Sequence, residues 1–566
     1  MSNFYRDNPE IKKTIEALDL TEVASLLEDG FTSESDIAPR SAEEALDNYF
    51  RALDIAGDIT GNRIAPTAEE TDRVGNILNE DGTVTYTPGI ALAMKLFAQA
   101  GLLGIQIPHR FGGLNMPCTV MSAVNDMVSR ADASLMNMVG LQGIADTINM
   151  FADEDIKKEY VPKLVSGEYS GAMVLTEPDA GSDLQSVKTI GYQDENGNWY
   201  VNGVKRFITN GCGEVLLVLA RTEPDSSDGR GLSCLLVQNG PQVKVRRLEH
   251  KLGINGSPTC ELVFDNAPAK LIGQRKRGLI TYVMALMNGA RVGIAAQGTG
   301  IGEAAYRAAR EYAASRKQFG VTIDNFPAIR ELLVDMAVDV QASRALAYYC
   351  SKCVDMENGL TQKFEKVKGT PEAPSVRERM KKYAAFNKMI TPMAKYFGSE
   401  MSMRVSSAAV SVLGGSGYMK DYPVERYYRD ARITTIYEGT SQLQVVAAIA
   451  GVMGQMTADV IEDILGAGWS DHHPRMKALL ADLDETIQFV KTKDKQYHDL
   501  SARRLVDAAV TLIITALLVK IDVKPKLEHW LHTRFPQAHA GLLIVRGGHD
   551  DAVAKFEEIA PMPVEE

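Results

Sequence analysis

One carboxylate is set apart by its neighbours. Glu438 lies in Ile436-Tyr437-Glu438-Gly439-Thr440-Ser441-Gln442, behind the β-branched approach Ile433, Thr434, Thr435, Ile436 and directly before a glycine. That context predicts a tight turn, not a helix face. A carboxylate presented on such a turn can be driven into a dry pocket. There the loss of hydration disfavours the charged form and raises the pKa, which suits a base that takes a weakly acidic C–H proton. Read alone, the same string also fits a helix N-terminus, with Thr440 or Ser441 as N-cap before the apolar run 443–453.

Two further stretches hold residue types suited to a planar heterocycle. In Leu175-Thr176-Glu177-Pro178-Asp179-Ala180-Gly181-Ser182-Asp183 a strand ends at Thr176, turns at Glu177-Pro178, and exposes small residues that allow a ligand to approach closely. The Thr176 hydroxyl can hydrogen-bond a ring lying over the strand end. In Arg206-Phe207-Ile208-Thr209-Asn210-Gly211, period-two alternation places Phe207 and Thr209 on one strand face, a pairing suited to a stacked ring system. Each stretch taken singly also reads as an ordinary turn. The one close cysteine pair, Cys350 and Cys353, sits in a helical pattern without a second pair to complete a zinc site, and is expected to be structural. The histidines lack metal-ligand spacing. His472-His473 reads as a solvated loop, and the glycine-rich turn at 104–113 lacks the Lys-Ser/Thr of a phosphate loop.

These stretches need a scaffold, and the periodicity changes twice along the chain. Residues 1–45 are acidic and helix-leaning, an N-terminal arm. Residues 46–170 form an N-terminal α-helical domain, with helices expected at 49–59, 89–100, 120–130, 134–151 and 155–165. Over 171–278 the period shortens to that of a compact antiparallel β-domain of about seven short strands, with the Asn-Gly pairs of 199–211 expected as hairpin turns. Over 279–455 long apolar helices at 286–312, 327–359 and 377–413, a Pro/Gly loop near 368–376 and a fourth helix after Glu438 predict a four-helix bundle. An additional helical domain, 456–566, holds a linker at 466–474, helices at 475–495, 498–520 and 526–545, and an acidic tail. The fold class is therefore mainly α with a central β-domain.

A net charge of -12 on 566 residues argues against nucleic-acid binding, which needs a basic face, though local basic patches are still allowed. The start of the chain is neither an apolar signal nor an Arg-rich transit peptide, and a cytoplasmic protein is expected. The apolar run 508–519 falls short of the roughly 20 residues that span a bilayer and reads as a buried helix, with peripheral docking on a membrane surface as the alternative.

Taken together with Ser315-Arg316-Lys317-Gln318-Phe319-Gly320 and Val412-Leu413-Gly414-Gly415-Ser416-Gly417-Tyr418, these motifs resemble the acyl-CoA dehydrogenase family, in order and spacing, over about 50–455. The resemblance implies an FAD flavoprotein built from an N-terminal helical domain, a β-domain and a four-helix bundle. Glu438 matches the catalytic base. Some members carry the base just before the bundle-helix arginine, where this chain has Ala290 ahead of Arg291. Arg291 matches an arginine near the base and the acyl-CoA chain, and Ser182, Arg291, Glu438 and Gly439 are the implied substrate contacts. Leu175, Thr176, Ser182, Phe207 and Thr209 match flavin contacts, with Phe207 in place of the commoner tryptophan. Arg316, Gln318 and Phe319 match residues that hold the FAD diphosphate of a neighbouring subunit, with Gly414 and Gly415 letting that nucleotide approach the backbone. Thr440 and Gln442 match further FAD contacts. Two positions depart from the pattern: Ser411 stands where a glutamine contact is common, and Ala450 where an arginine often follows the Glu-Gly-Thr segment.

The implied reaction is α,β-dehydrogenation of an acyl-CoA thioester to the trans-2-enoyl-CoA, in fatty acid β-oxidation. Glu438 takes the α-proton, flavin N5 accepts the β-hydride, and electrons pass to electron-transferring flavoprotein. The developing enolate needs donors, such as the Glu438 backbone N–H and a ribityl hydroxyl. An acyl-CoA oxidase using oxygen shares these motifs, and a DNA-binding repair flavoprotein shares the fold but needs a basic C-terminal face. The arm and C-terminal extension resemble those of very-long-chain acyl-CoA dehydrogenases and of the bacterial 3-methylthiopropanoyl-CoA dehydrogenase-like group. Such helices are expected to cover the bundle surface through which smaller members form tetramers, leaving a homodimer.

Overall fold

The computed structural model describes residues 2–33 and 35–562, apart from the side chain of Gln142. The last four residues of the expected acidic tail lie outside the described residues. The N-terminal arm folds as α1 (Pro9–Leu18) and α2 (Thr21–Leu27). Ile11, Ile15 and Leu18 form one buried stripe of α1, at the spacing that lines up successive helical turns. The arm is fastened by Arg130, whose Nη1 and Nη2 donate to the two Asp7 carboxylate oxygens at 2.6 and 2.7 Å, and by Lys352 Nζ donating to the Leu18 carbonyl at 2.5 Å.

The helical domain follows as α3 (Ala42–Asp58), α4 (Ala68–Val74), the small hairpin β1 (Ile77–Leu78) and β2 (Val84–Thr85), then α5 (Pro88–Gln99) and α6 (Cys118–Ala131). Ser41 caps α3 by accepting the Glu44 N–H, and Thr87 caps α5 through Ile90. The single helix expected over 134–151 is instead α7 (Ala133–Val139), a tight turn at Gly140–Gln142, and α8 (Gly143–Phe151). Glycines 140 and 143 lower helix propensity at the break. α9 (Glu154–Ser166) closes the domain.

The β-domain contains β3 (Gly171–Val174), β4 (Ile190–Gln193), β5 (Trp199–Thr209), β6 (Val215–Arg221), β7 (Leu232–Gln238), β8 (Val243–Leu248) and β9 (Thr259–Leu271). The strand order is β3-β6-β4-β5-β9-β7, β8 adds to β9, and β7 also pairs β6, so the sheet returns on itself around an apolar interior. It is largely antiparallel as expected, but β3 and β4 each pair β6 in parallel. Asn202-Gly203 is not a hairpin turn. β5 runs straight through it with a bulge, and the backbone of Gly203 at φ 147° lies where a Cβ would stand 2.9 Å from Thr189 Cα.

The bundle helices are α10 (Met284–Ser315), α11 (Pro327–Val367) and α12 (Ala373–Leu413), followed by α13 (Val424–Thr434) and α14 (Ser441–Met453). The expected loop near 368–376 is shorter than its composition suggests, because Pro374 takes a first-turn position of α12, where its missing N–H costs nothing. α10 and α12 touch backbone to backbone: a Cβ on Gly298 would stand 2.4 Å from the Gly398 carbonyl oxygen. The stretch Gly278–Ser315 is long and apolar enough to cross a membrane by length and composition. Here it packs against α6, α11 and α12. The C-terminal segment forms α15 (Met456–Leu465), the short α16 (Trp469–His472), α17 (Pro474–Lys491), α18 (Lys495–Ile521) and α19 (Lys524–Gly547). The run 508–519 of α18 is buried, with Trp530 Nε1 of α19 donating to Thr515 Oγ1 at 3.1 Å. Side chains of the arm, the helical domain, the bundle and these last helices share one continuous apolar core.

Candidate active site

Glu438 sits in the short link between α13 and α14, at φ 53°, followed by Gly439 at φ 90°. Two consecutive left-handed residues make a sharp turn that only glycine enters without strain, so Glu438 is held there by its surroundings. The Ser441 N–H donates to the Thr435 carbonyl at 3.0 Å, closing the turn. Thr440 Oγ1 accepts the Leu443 N–H and caps α14, so the string is both a presented carboxylate and a helix start. The β-branched approach is the last turn of α13 and the residues just past it.

Three side chains fix the two carbonyls of this turn. Gln444 Nε2 donates to the Glu438 oxygen at 3.1 Å and the Gly439 oxygen at 2.9 Å. Lys395 Nζ, from the middle of α12, donates to the Gly439 oxygen at 2.7 Å, and Arg291 Nε, from α10, reaches the Glu438 oxygen at 3.4 Å. Tyr437 anchors the other side by donating to Asn137 Oδ1 at 3.2 Å and to Gln297 Oε1. The backbone is thus pinned from α7, α10, α12 and α14 at once. One oxygen of the carboxylate is left free: among the described residues, Glu438 Oε2 is out of reach of solvent and has no hydrogen-bond partner.

Burial is the first cause of the Glu438 pKa, which is raised from 4.5 to about 7; the charges of Arg291 and Lys395 oppose that rise. Lys395 is buried completely, and desolvation lowers its pKa from 10.5 to about 7, with Glu438 pulling it back up. Each charge thus favours the ionised form of the other, against the burial that disfavours both.

Glu438 forms part of the wall of a cavity of about 1410 Å³ between the helical domain, the β-domain and the bundle. Of the residues named from sequence, Leu175, Thr176, Ser182, Phe207, Thr209, Arg291, Glu438, Gly439 and Thr440 line it together. Arg316, Gln318, Phe319, Ser411, Gly414, Gly415 and Gln442 do not. They lie exposed on the outside of the bundle, with Phe319 93% exposed. Phe207 and Thr209 reach the cavity by a different route from the one expected. Phe207 stands at φ 61°, within a register shift between Lys205 and Ile208, so simple alternation does not hold there.

The strand end presenting Thr176 is held by a buried ion pair. Lys205 Nζ donates to the Leu175 carbonyl at 2.8 Å and meets Glu177 Oε1 at 2.9 Å, while Glu177 accepts the N–H groups of Lys188 and Thr189 at 2.8 and 2.9 Å. Lys395, Gln444 and Lys205 were not singled out from sequence. For Lys395 the available signal was a lone lysine in the otherwise apolar and small-residue run 389–399.

Compared with known proteins, the chain matches the acyl-CoA dehydrogenase N-terminal domain over 52–168, the middle domain over 172–267 and the C-terminal domain over 277–453. This defines an oxidoreductase of the acyl-CoA dehydrogenase class. The chain belongs to the acyl-CoA dehydrogenase family, a family of FAD flavoproteins. It is 38% identical over 360 residues to an acyl-CoA dehydrogenase of Bacillus subtilis, covering 62% of this chain and 86% of that one. It is 34% identical over 430 residues to the 3-methylmercaptopropionyl-CoA dehydrogenase of Ruegeria pomeroyi, covering 71% and 70%. The structure of butyryl-CoA dehydrogenase from Megasphaera elsdenii superposes with a TM-score of 0.59 at 29% identity, over 74% of this chain and 99% of that one. FAD fits the cavity on its own evidence. Hydroxyls at Thr176, Ser182 and Thr209 and the half-exposed ring of Phe207 face a space bounded by Gly181, where a Cβ would meet nothing closer than 4.0 Å.

Proposed function

We propose that the chain removes the α-proton and β-hydride of an acyl-CoA thioester, yielding the 2-enoyl-CoA, with Glu438 as base and an electron-transferring flavoprotein as electron acceptor. The observation that supports this most directly is the Glu438 turn: its backbone is fixed by three side chains, while one carboxylate oxygen has no partner in a wall of the cavity. FAD bound against Leu175, Thr176, Ser182, Phe207 and Thr209 supplies the acceptor for the hydride.

Glu438 must be ionised to act and needs a pKa near the operating pH, a requirement that burial meets. Arg291 and Lys395 keep the carboxylate from rising further. On this reading the Glu438 backbone N–H, which donates to no backbone carbonyl of the turn among the described residues, meets the thioester oxygen as charge develops there. Ser182, Arg291 and Gly439 border the same space and serve the substrate. Arg316, Gln318, Phe319, Gly414 and Gly415 reach no part of this cavity. Their exposure, and the open space around both glycines, supports a role toward the cofactor of a second copy, hence a homo-oligomer, and a dimer where the C-terminal helices cover the bundle.

The test is an anaerobic titration of the yellow enzyme with acyl-CoA. Glu438→Gln should retain FAD and lower the rate of substrate-driven flavin bleaching by about 10³-fold or more. Bleaching at the wild-type rate would remove Glu438 from the role.

A further inference from the structure

Away from Glu438 the cavity ends among polar side chains that the reaction above does not use. α6 lays Cys118, Ser122 and Asn125 along the wall at helical spacing, and α8 adds Asp146. Two helices serve as rulers for the depth of this end. Asn125 stands beside Gly293, its Nδ2 3.7 Å from where a Cβ on that glycine would be, and Gly293 lies two residues past Arg291, which holds the Glu438 carbonyl. Farther along, Leu286 lies against Gly143 of α8, 3.2 Å from the corresponding Cβ position, and the Cys118 thiol pKa is raised first by burial and least by the Asp146 charge. From Asn125 back to Cys118, and from Gly293 back to Leu286, the helices run seven residues, about 10 Å at the rise of an α-helix. Asp146 therefore lies toward the Leu286 end of α10, about two helical turns from the level of Gly293.

Part of this end is already satisfied, since the Ser122 and Ser351 hydroxyls are 2.7 Å apart. Asp146 is not. Among the described residues its carboxylate has neither a hydrogen-bond nor an ion-pair partner, and burial raises its pKa from 3.8 to about 6 with no cation to offset it. Asn125 is 3% exposed, its Oδ1 is buried without a partner, and its amide makes no hydrogen bond among the described residues. Asp146 is half-buried and borders the cavity, so a ligand that displaces water there and brings a donor gains a bond to an unpaired carboxylate.

We propose that the acyl group of the substrate carries a hydrogen-bond donor, a hydroxyl or an ammonium, at the end remote from the thioester, where Asp146 accepts it. This rests on the dehydrogenase reading of the Glu438 site. Asp146 touches no reacting atom and acts in specificity: it selects the far end of the chain, while the bonds at C2 and C3 change as before.

The test compares three CoA thioesters of equal chain length, one ending in a methyl, one in a hydroxyl and one in an amine, each mixed anaerobically with the holoenzyme while flavin bleaching is followed. The donor-bearing chain should half-saturate at a concentration about tenfold lower than the methyl chain, equivalent to about 1.4 kcal/mol. The hydroxyl and amine arms separate a neutral donor from a cation. Asp146→Leu should reverse the order, and the isosteric Asp146→Asn should keep hydroxyl binding but lose any preference for the amine. Equal or better saturation by the methyl chain would overturn the proposal while leaving the dehydrogenase reading intact. If none of the three bleached the flavin, the dehydrogenase reading would fail and take the proposal with it.

Discussion

At the scale of single residues, the arrangement around Glu438 separates positioning from chemistry. Lys395 holds the Gly439 carbonyl and also places a positive charge near the Glu438 carboxylate. Lys395→Met removes both at similar side-chain volume. Because the lysine charge lowers the Glu438 pKa, its loss should move the acid limb of the flavin-reduction profile to higher pH, by about one unit. A lysine that only filled space would change thermal stability and leave that profile in place. Stopped-flow reduction from pH 6 to 9, with FAD content measured alongside, distinguishes the two. Gln444 still holds both carbonyls in the variant, so the turn itself should persist.

At the scale of elements, the cavity-facing edge of the β-domain depends on the Lys205–Glu177 pair, buried at 0% and 6% exposure between β5 and the loop after β3. Removing one partner of a buried pair leaves the other charge uncompensated. Lys205→Met should therefore destabilise the protein by about 3 kcal/mol and release FAD more readily, read as a lower melting temperature and a lower ratio of flavin to protein absorbance. Two backbone irregularities re-aim side chains on the same edge: the bulge at Gly203 and the left-handed Phe207 next to it. Arg206 lies 4.6 Å from the centre of the Phe207 ring and holds it on the edge of the cavity.

At the scale of the whole molecule, the extension past α14 is part of the common core and not an appendage. α18 is buried along its length between the bundle, α17 and α19, and Lys13 and Lys526 tie the N-terminal arm to the same region through Asp522 and Glu10. A chain ending at residue 455 would expose the faces of α11 and α14 that α18 covers. The expected result is aggregation or loss of the cooperative unfolding transition, checked by light scattering and calorimetry. A soluble, flavin-loaded truncated enzyme would show instead that the extension folds apart from the core.

The order of helical, strand and helical segments was legible in the chain because burial imposes a period of 3.6 or 2 on apolar residues wherever an element has one dry face. The Glu438 turn was legible because a glycine after an acid in an apolar setting leaves few local conformations. Period alone could not give the bulges in β5, the break at Gly140 or the parallel pairings of β6, since these depend on what approaches from elsewhere in the chain. Lys395, Gln444, Asp146 and Asn125 become significant only when α6, α8, α12 and α14 are brought around one cavity. Sequence fixes which groups can lose a proton or accept a bond. Which of them are dried, paired or left unpaired follows from packing, because the cost of desolvation is set by neighbours far away along the chain.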